Sequence, residues 1–174
     1  DGIAKGIGLV SEDRKTQGLV LQLSVRENMM LSNYRLCSRS SVVSDAGERR
    51  IADDMIRELA IKTPSREQKA KNLSGGNQQK IVIGKVLLGN PDLLILDEPT
   101  RGIDIGAKSE IYKLISKLAD EGKAIIVVSS ELPEIIGLSD RILVLHEGKV
   151  AGELSREEAS EQSIMALAFG KQAQ

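Results

Sequence analysis

Residues 93–100, Leu-Leu-Ile-Leu-Asp-Glu-Pro-Thr, place four apolar residues directly before two adjacent carboxylates. A short apolar run of this kind is typical of a strand that is buried on both faces of a parallel sheet. Parallel α/β sheets bind ligands beyond the carboxyl ends of their strands, so Asp97 and Glu98 lie where phosphate chemistry is expected. Consecutive strand side chains point to opposite sides, and one carboxylate can therefore serve a metal while the other faces a reacting water. On these residues alone, a core strand that ends in a charged turn is an equal alternative.

A second motif lies upstream, at Leu73-Ser74-Gly75-Gly76-Asn77-Gln78-Gln79-Lys80, directly before a helix that we expect to run to about residue 88. Amides at the start of a helix are unpaired and carry positive partial charge, and glycines allow a phosphate to approach the backbone. An ordinary glycine-rich helix entry would explain Ser-Gly-Gly by itself. Ser74 precedes Asp97 by 23 residues (97 − 74), and the two motifs together favour an anion site.

The remaining apolar patterns predict an α/β fold around these two motifs. Apolar runs bounded by turns predict strands, with the last two forming a hairpin, at residues 7–10, 93–96, 124–128, 142–145 and 150–154. Residues 106–121 carry an amphipathic helical stripe. Capping-box spacing predicts helix starts at Ser24, Asp45 and Ser155. Residues 24–72 contain no convincing strand, so we expect a helical subdomain inserted into a mostly parallel sheet.

Composition excludes several classes of protein. The chain has 174 residues, of which 41% are hydrophobic and 28% charged, enough for one domain or a large piece of one. A formal net charge of −1, with two tyrosines and one phenylalanine, offers neither the basic excess nor the stacking surface that nucleic acid requires. No apolar run approaches the roughly 18 residues of a membrane span. Because the chain begins at Asp1 and a strand follows at once, we expect the natural polypeptide to extend upstream.

These motifs resemble those of ATP-binding-cassette (ABC) proteins. LSGGNQQK is similar to their signature motif, LLILDE resembles their Walker B strand, and residues 101–104 (RGID) occupy the place of their D-loop. The longer strings GLVSEDRKTQGLV, DEPTRGIDIGAK and IIVVSSELPEI resemble the second cassette of the fused, two-cassette ATPases that energise bacterial importers of ribose, galactose and xylose. The resemblance covers essentially the whole chain.

The resemblance implies a partial RecA-like P-loop NTPase core. Residues 1–174 then form an incomplete nucleotide-binding domain, divided as follows: a helical subdomain at about 20–72, the signature at 73–80, Walker B at 93–98, the D-loop at 101–104 and a C-terminal helix at 155–174.

The resemblance also implies a role for individual residues. In such proteins two cassettes hold ATP and Mg²⁺ between them, and each signature acts on the partner's nucleotide. The residues that would contact the γ-phosphate in trans are Ser74, Gly75, Gly76, Asn77 and Gln78. On the cis side Asp97 would hold Mg²⁺ through water, and Glu98 would polarise the attacking water as the catalytic residue. Asp104 would cross the interface and couple the two sites, although a plain helix N-cap is an equal alternative.

Three departures from the family pattern predict a degenerate cis site. The sequence contains no G-x-x-x-x-G-K-[ST], so the cradle for the β- and γ-phosphates is missing from this chain. Ser130 stands at the switch position, where the family usually has a histidine, and Glu12 stands at the Q-loop position in place of glutamine. Glu12 brings an anion towards phosphate, unless it is one member of a solvated charged turn. We therefore expect two unequal ATP sites, in which this cassette supplies its signature loop to a partner cassette whose site is competent for hydrolysis.

The resemblance implies partners and a location as well. The implied partners are the first cassette of the same or a second ATPase chain and transmembrane permease subunits that contact the helical insert. An external sugar-binding protein is an indirect partner. The ATPase would lie peripherally at the cytoplasmic face of the inner membrane. Two alternatives stay open. One is a cassette ATPase of DNA repair or translation, which the lack of basic excess disfavours. The other is a non-catalytic regulatory module that holds nucleotide and stabilises a dimer.

Overall fold

The computed structural model describes residues 2–39 and 42–170, without the side chain of Arg39. All five predicted strands are confirmed, within one or two residues at their ends. The strands are β1 Ile7–Val10, β2 Ser38–Arg39, β3 Val42–Val43, β4 Leu93–Asp97, β5 Ala124–Val128, β6 Arg141–His146 and β7 Lys149–Ser155. The short antiparallel pair β2–β3 lies in the segment where no strand was predicted, which is a correction.

Six α-helices accompany the strands within the described residues. They are α1 Val25–Met30, α2 Asp45–Glu58, α3 Gly75–Leu87, α4 Ile105–Asp120, α5 Leu132–Leu138 and α6 Glu161–Ala168. Helices α3 and α4 match the predicted segments closely. No helix in the described part of the chain is long and apolar enough to cross a membrane.

A three-stranded sheet with the order β1-β4-β5 forms the centre of the first compact unit, which ends within β5 at Ile126. Strands β1 and β4 are parallel and in register from Ile7 opposite Leu93 to Val10 opposite Leu96. One face of the sheet is buried through Val10, Leu94 and Leu96. The predicted α/β class with a parallel sheet is confirmed.

Helix α3 packs very closely on β1. A Cβ placed on Gly8 would lie 2.5 Å from Cγ1 of Val86, so only glycine fits at this point of the strand. The opposite side of the sheet is more open, and Leu9 and Ile126 are about half exposed. The close contact fixes the direction in which α3 begins, and with it the position of the glycine-rich loop before α3.

Ionic contacts hold the helical insert together. Arg26 on α1 binds Glu48 on α2 and Glu67 in the loop that follows α2. Asn28 is completely buried and closes the loop before α1, because its amide donates to the carbonyls of Val20 and Ser24 while its oxygen accepts from the Val20 amide. A buried polar group of this kind stabilises a fold only when each of its atoms is paired.

The three predicted capping boxes have three different outcomes. Ser24 and Glu27 form the predicted box at the start of α1. Helix α2 is capped by Ser44, one residue before the predicted Asp45. Ser155 does bond to Glu158, at 2.9 and 2.8 Å, but only a turn follows. The predicted start of the C-terminal helix at residue 155 is wrong, because Ser155 still pairs with β6, and α6 begins six residues later.

Residues 127–170 belong to a second compact unit. The hairpin β6–β7 is antiparallel, and Ile142 and Val144 on β6 pack with Ile164 and Leu167 on α6. Ser160 and Ser163 cap α6 reciprocally. The predicted helix end at residues 171–174 lies outside the described residues.

Two glycines give opposite predictions for stability. Gly8→Ala should destabilise the chain by about 1–3 kcal/mol, because the new methyl group overlaps the rigid side chain of Val86. Gly137→Ala in α5 meets no atom within 4 Å and should stabilise its helix by roughly 0.5–1 kcal/mol. Urea unfolding of the two variants and the parent measures the difference. Equal stability of the Gly8 variant and the parent would contradict the close packing.

Candidate functional site

Glu98, the carboxylate directly after β4, lies in an unusual backbone conformation. Strand β4 ends at Asp97, and Glu98 has a φ of 47°, in the left-handed region. A non-glycine residue there costs roughly 1–2 kcal/mol, and such outliers cluster at functional sites. Strand alternation does not extend to Glu98, because Glu98 has already left the strand, and the roles predicted for the two carboxylates stay predictions.

The turn after Glu98 leads into α4. The Arg101 amide donates to the Glu98 carbonyl at 3.1 Å, and Gly102 has a φ of 65°. Asp104 is the N-cap of α4, because its Oδ1 accepts from the Ala107 amide at 2.9 Å. The N-cap alternative is thus confirmed, and the predicted coupling role of Asp104 stays a prediction.

Ser74 precedes the first turn of α3 as its N-cap. The Gln78 amide bonds to the Ser74 carbonyl at 2.9 Å and begins the helical ladder. The first-turn amides of Gly75, Gly76 and Asn77 therefore have no acceptor within the helix. They point out of the start of a 13-residue helix, where the helix dipole favours an anion.

The two signature glycines have a packing reason of their own. A Cβ on Gly75 would lie 2.9 Å from Nη2 of Arg14 and 3.2 Å from the Gly102 carbonyl oxygen. A Cβ on Gly76 would lie 2.5 Å from Cβ of Ala107. A larger residue at Gly76 would push α3 and α4 apart, so its effect on activity would not isolate contact with phosphate.

Asn77 orients the Ser74 hydroxyl. The backbone amide of Lys62 donates to Oδ1 of Asn77 at 2.8 Å, and this fixes which end of the side-chain amide is the oxygen. Nδ2 of Asn77 then donates to Oγ of Ser74 at 2.9 Å. Because Oγ accepts here, the hydroxyl proton of Ser74 is directed to another acceptor.

Gln78 does not have the position that was predicted for it. Its side chain is 6% exposed, and its Nε2 donates to the carbonyls of Ala70 and Leu73 at 3.0 and 3.2 Å. The helical turn directs Gln78 into the protein, where it holds the loop before α3. The structure therefore gives no support to an ATP contact by Gln78.

A charged cluster that the sequence did not predict lies beside the signature. Glu110 on α4 accepts from Nζ of Lys62 at 2.7 Å and from Nζ of Lys80 at 2.9 Å. These hydrogen bonds, first from Lys62 and then from Lys80, lower the pKa of Glu110 to about 2. Lys80 is nearly buried and also donates to the Ala60 carbonyl.

Lys62 and Glu110 of this cluster line an open, polar pocket of about 250 Å³. The lining residues are Lys62, Ser74, Asn77, Asp104, Gly106, Ala107 and Glu110. The pocket brings the signature serine, Ser74, and the D-loop aspartate, Asp104, together. The two lysines that bind Glu110 lie 48 and 30 positions from it in the sequence, which is why local periodicity did not reveal the charged cluster.

The segment after β1 contacts the turn after β4. Glu12 forms an ion pair with Arg101, and both side chains are largely exposed. The negative charge of Glu12 is therefore compensated locally, which favours the charged-turn alternative. Arg14 donates to the carbonyl oxygens of Arg101 and Gly102 at 2.6 and 3.0 Å.

Ser130 lies in the turn between β5 and α5, in the second compact unit. Its neighbour Ser129 donates to Glu134 at 2.5 Å and accepts from the Glu131 amide at 3.0 Å. The side chain of Ser129 thus closes the turn that carries Ser130. The switch role of Ser130 stays a prediction.

Across residues 2–39 and 42–170, no three His, Cys, Asp or Glu side chains come together as a metal site would require. An Mg²⁺ ion held through water by Asp97 stays a prediction. Carboxylate oxygens are nonetheless the ligands that Mg²⁺ prefers, and Asp97 would supply them at the end of β4.

A comparison with known families identifies the class. The sequence profile described as ABC transporter matches residues 2–101, more than half of the chain. The chain therefore belongs to the ABC transporter family.

Curated relatives are similar along nearly the whole chain. The ribose import ATP-binding protein of Bacillus cereus is 56% identical over 170 residues, 98% of this chain and 34% of that protein. The xylose import ATP-binding protein of Moorella thermoacetica is 55% identical, with the same coverage of both chains. This chain thus spans about one third (34%) of the length of these relatives.

Solved structures share the fold. A dimeric ATP-binding cassette in a post-hydrolysis state, bound to ADP and Pi, superimposes with a TM-score of 0.71 at 26% identity, covering 86% of this chain and 62% of that one. A protein from Clostridium perfringens that is part of the cbiONQ ABC transporter complex superimposes with a TM-score of 0.74 at 26% identity, covering 93% and 62%. The predicted cassette fold is confirmed.

The charged cluster predicts a pH-dependent stability. The pKa of Glu110 is lowered in the folded chain from 4.5 to about 2, so its contribution is complete above about pH 4.5 and is lost as the pH falls towards 2. Glu110→Gln should destabilise the chain by roughly 1 kcal/mol at pH 7, after allowance for solvent screening at this half-exposed carboxylate. The difference from the parent should disappear near pH 2.

Thermal unfolding at pH 7, 4 and 2.5 tests this prediction. Glu157→Gln, in the exposed turn after β7, is the matched control and should follow the parent at each pH. A stability difference for Glu110→Gln that is the same at all three pH values would contradict the assigned ion pairs.

Proposed function

We propose that this chain is part of an ATPase that energises the import of a monosaccharide, and that it supplies the signature loop to the ATP site of a partner cassette. The observation that carries the proposal is the geometry at the start of α3, where unpaired amides and an oriented serine hydroxyl face outward together. The proposal is supported by relatives named for ribose and xylose import, which align with 98% of the chain.

The trans site uses groups of this chain as hydrogen-bond donors. The γ-phosphate of ATP, when bound to the partner, supplies the anion. The amides of Gly75 and Gly76 and the hydroxyl proton of Ser74 donate to it. Asn77 acts through Ser74, because both the oxygen and the nitrogen of its side-chain amide already form hydrogen bonds within this chain. Donors that are fixed before the reaction stabilise developing charge without having to reorganise.

The cis site retains the carboxylates. Asp97 holds Mg²⁺ through water, and Glu98 polarises the attacking water, from the left-handed conformation that sets it beyond the strand end. Ser130 stands at the switch position in place of the usual histidine, and the Q-loop position holds Glu12, which is paired with Arg101, in place of glutamine. We therefore propose that the cis site is degenerate and that turnover occurs chiefly in the partner's site.

The partners follow from the same proposal. The helical insert exposes apolar side chains at Leu31, Leu36, Val42 and Val43, the kind of surface that a permease subunit can cover. The ATPase would then lie at the cytoplasmic face of the bacterial inner membrane and act indirectly with a sugar-binding protein.

A non-catalytic regulatory module is the second candidate, and the replacement of the usual switch histidine by Ser130 favours it. Such a module would hold nucleotide and stabilise a dimer without supporting turnover. The two candidates differ in whether Ser74 matters for hydrolysis.

Substitution of Ser74 tests the proposal in the complete ATPase assembled with its permease. Ser74→Ala should lower ATP turnover at least tenfold, because one preorganised donor to the transferring phosphate is lost. Glu98→Gln should retain much of the turnover if the partner's site is the active one. The matched control is Ser116→Ala, an exposed serine on α4, which should behave like the parent.

Each contrary result has a distinct meaning. Full turnover in Ser74→Ala would contradict signature donation and favour the regulatory module. A loss with Glu98→Gln as large as that with Ser74→Ala would show that the cis site hydrolyses ATP and would contradict the asymmetry.

A further inference from the structure

Arg14 reaches from the segment after β1 to the D-loop. Its Nη1 donates to the Arg101 carbonyl at 2.6 Å, and its Nη2 donates to the Gly102 carbonyl at 3.0 Å. One planar guanidinium thus holds two successive backbone carbonyls, which fixes the orientation of the D-loop peptide as well as its position. A lysine carries its three donors on one atom and cannot reproduce this fork.

The base of Arg14 is itself fixed. Oδ1 of Asp13 accepts from the amides of Lys15 and Thr16 at 2.9 and 3.2 Å, and Oδ2 accepts from the Thr16 hydroxyl at 2.7 Å. The far end of the same turn is tied to α3, because Nζ of Lys85 donates to the Gly18 carbonyl. Arg14 therefore projects from a turn that cannot shift freely relative to α3.

The guanidinium also lies against the signature. A Cβ on Gly75 would come within 2.9 Å of Nη2, so the absence of a side chain at Gly75 is what leaves room for Arg14. Nε of Arg14 is buried, with no hydrogen-bond partner among the described residues. This placement leaves the guanidinium charge less hydrated, at the positive end of α3.

A second contact joins the same two segments, this time from a side chain of the D-loop to the segment after β1. The side chain of Arg101 returns to Glu12, two positions before Arg14. The Q-loop position and the D-loop are therefore joined twice, once through a backbone clamp and once through an exposed ion pair. Exposed ion pairs contribute little to stability, whereas Arg14 makes two hydrogen bonds to the backbone of the D-loop, so the clamp by Arg14 dominates.

We propose that Arg14 is a positioning residue that holds the D-loop against the start of α3 and against the segment after β1. This inference rests on the proposed function, in which the segment after β1 belongs to the cis site and the signature belongs to the trans site. A change in one site then moves the D-loop and the signature together, because a single side chain contacts all three segments.

Two variants and a control test the proposal in the complete ATPase with its permease. Arg14→Gln should lower kcat at least tenfold and change the KM for ATP less than about threefold, because Arg14 positions groups and does not bind the nucleotide. Arg14→Lys should lower kcat less than Arg14→Gln does, because a lysine can still bind a D-loop carbonyl from one atom. Lys15→Gln removes the same charge from the neighbouring exposed position and should match the parent.

Hydrogen exchange gives a readout that does not depend on activity. In Arg14→Gln, peptides that cover residues 99–108 and 73–78 should exchange faster than in the parent and in Lys15→Gln. Unchanged exchange in these peptides would overturn the clamp, whatever the kinetics.

A double variant connects the clamp to the signature. If Arg14 acts through the signature, Arg14→Gln should lower kcat by a much smaller factor in the Ser74→Ala variant than in the parent. A fully multiplicative loss would overturn the positioning role, even if both single losses are large. If Ser74→Ala turns over normally while exchange in Arg14→Gln is faster, the clamp stands and the proposed signature role fails.

Discussion

The structure of the site depends on the close approach of the start of α3 to the start of α4. Cβ of Ala107 would lie only 2.5 Å from a Cβ on Gly76, so the two helices meet at a distance that only glycine permits. This contact brings the unpaired amides of α3 beside the turn that follows the carboxylates of β4. It also closes one side of the polar pocket and brings Arg14 within reach of both segments.

The hydrogen bonds around this contact form one continuous set. Lys62 holds Asn77, and Asn77 orients Ser74. The side chain of Lys62 also binds Glu110 on α4, and Glu110 in turn pairs with the nearly buried Lys80. The signature serine is thus connected to the helix that follows the D-loop through named bonds. In the proposed function, this arrangement keeps the donors aligned before a partner's phosphate arrives.

Local sequence patterns predicted much of the fold because its central strands are apolar and its main helices carry regular stripes. The pair β2–β3 was missed because strands of two residues leave no period. The prediction of a helix start at Ser155 failed because the side-chain pattern of a capping box can also close a turn. The Glu110 cluster and the Arg14 clamp depend on tertiary contacts; Arg14, for example, is 87 positions from Arg101. The bonds of Gln78 are local but depend on the path of the irregular loop before α3. The α/β class and the signature loop could be predicted, whereas the partners of individual side chains could not.

The most direct test of signature donation is a structure of the complete ATPase with its permease and a non-hydrolysable ATP analogue. We predict Oγ of Ser74 within about 2.5–3.2 Å of an oxygen of the partner-bound γ-phosphate, with the bond from Asn77 to Ser74 retained. A nucleotide-bound dimer in which Ser74 contacts no phosphate, or in which Asn77 leaves Ser74 to bind the phosphate itself, would contradict the account.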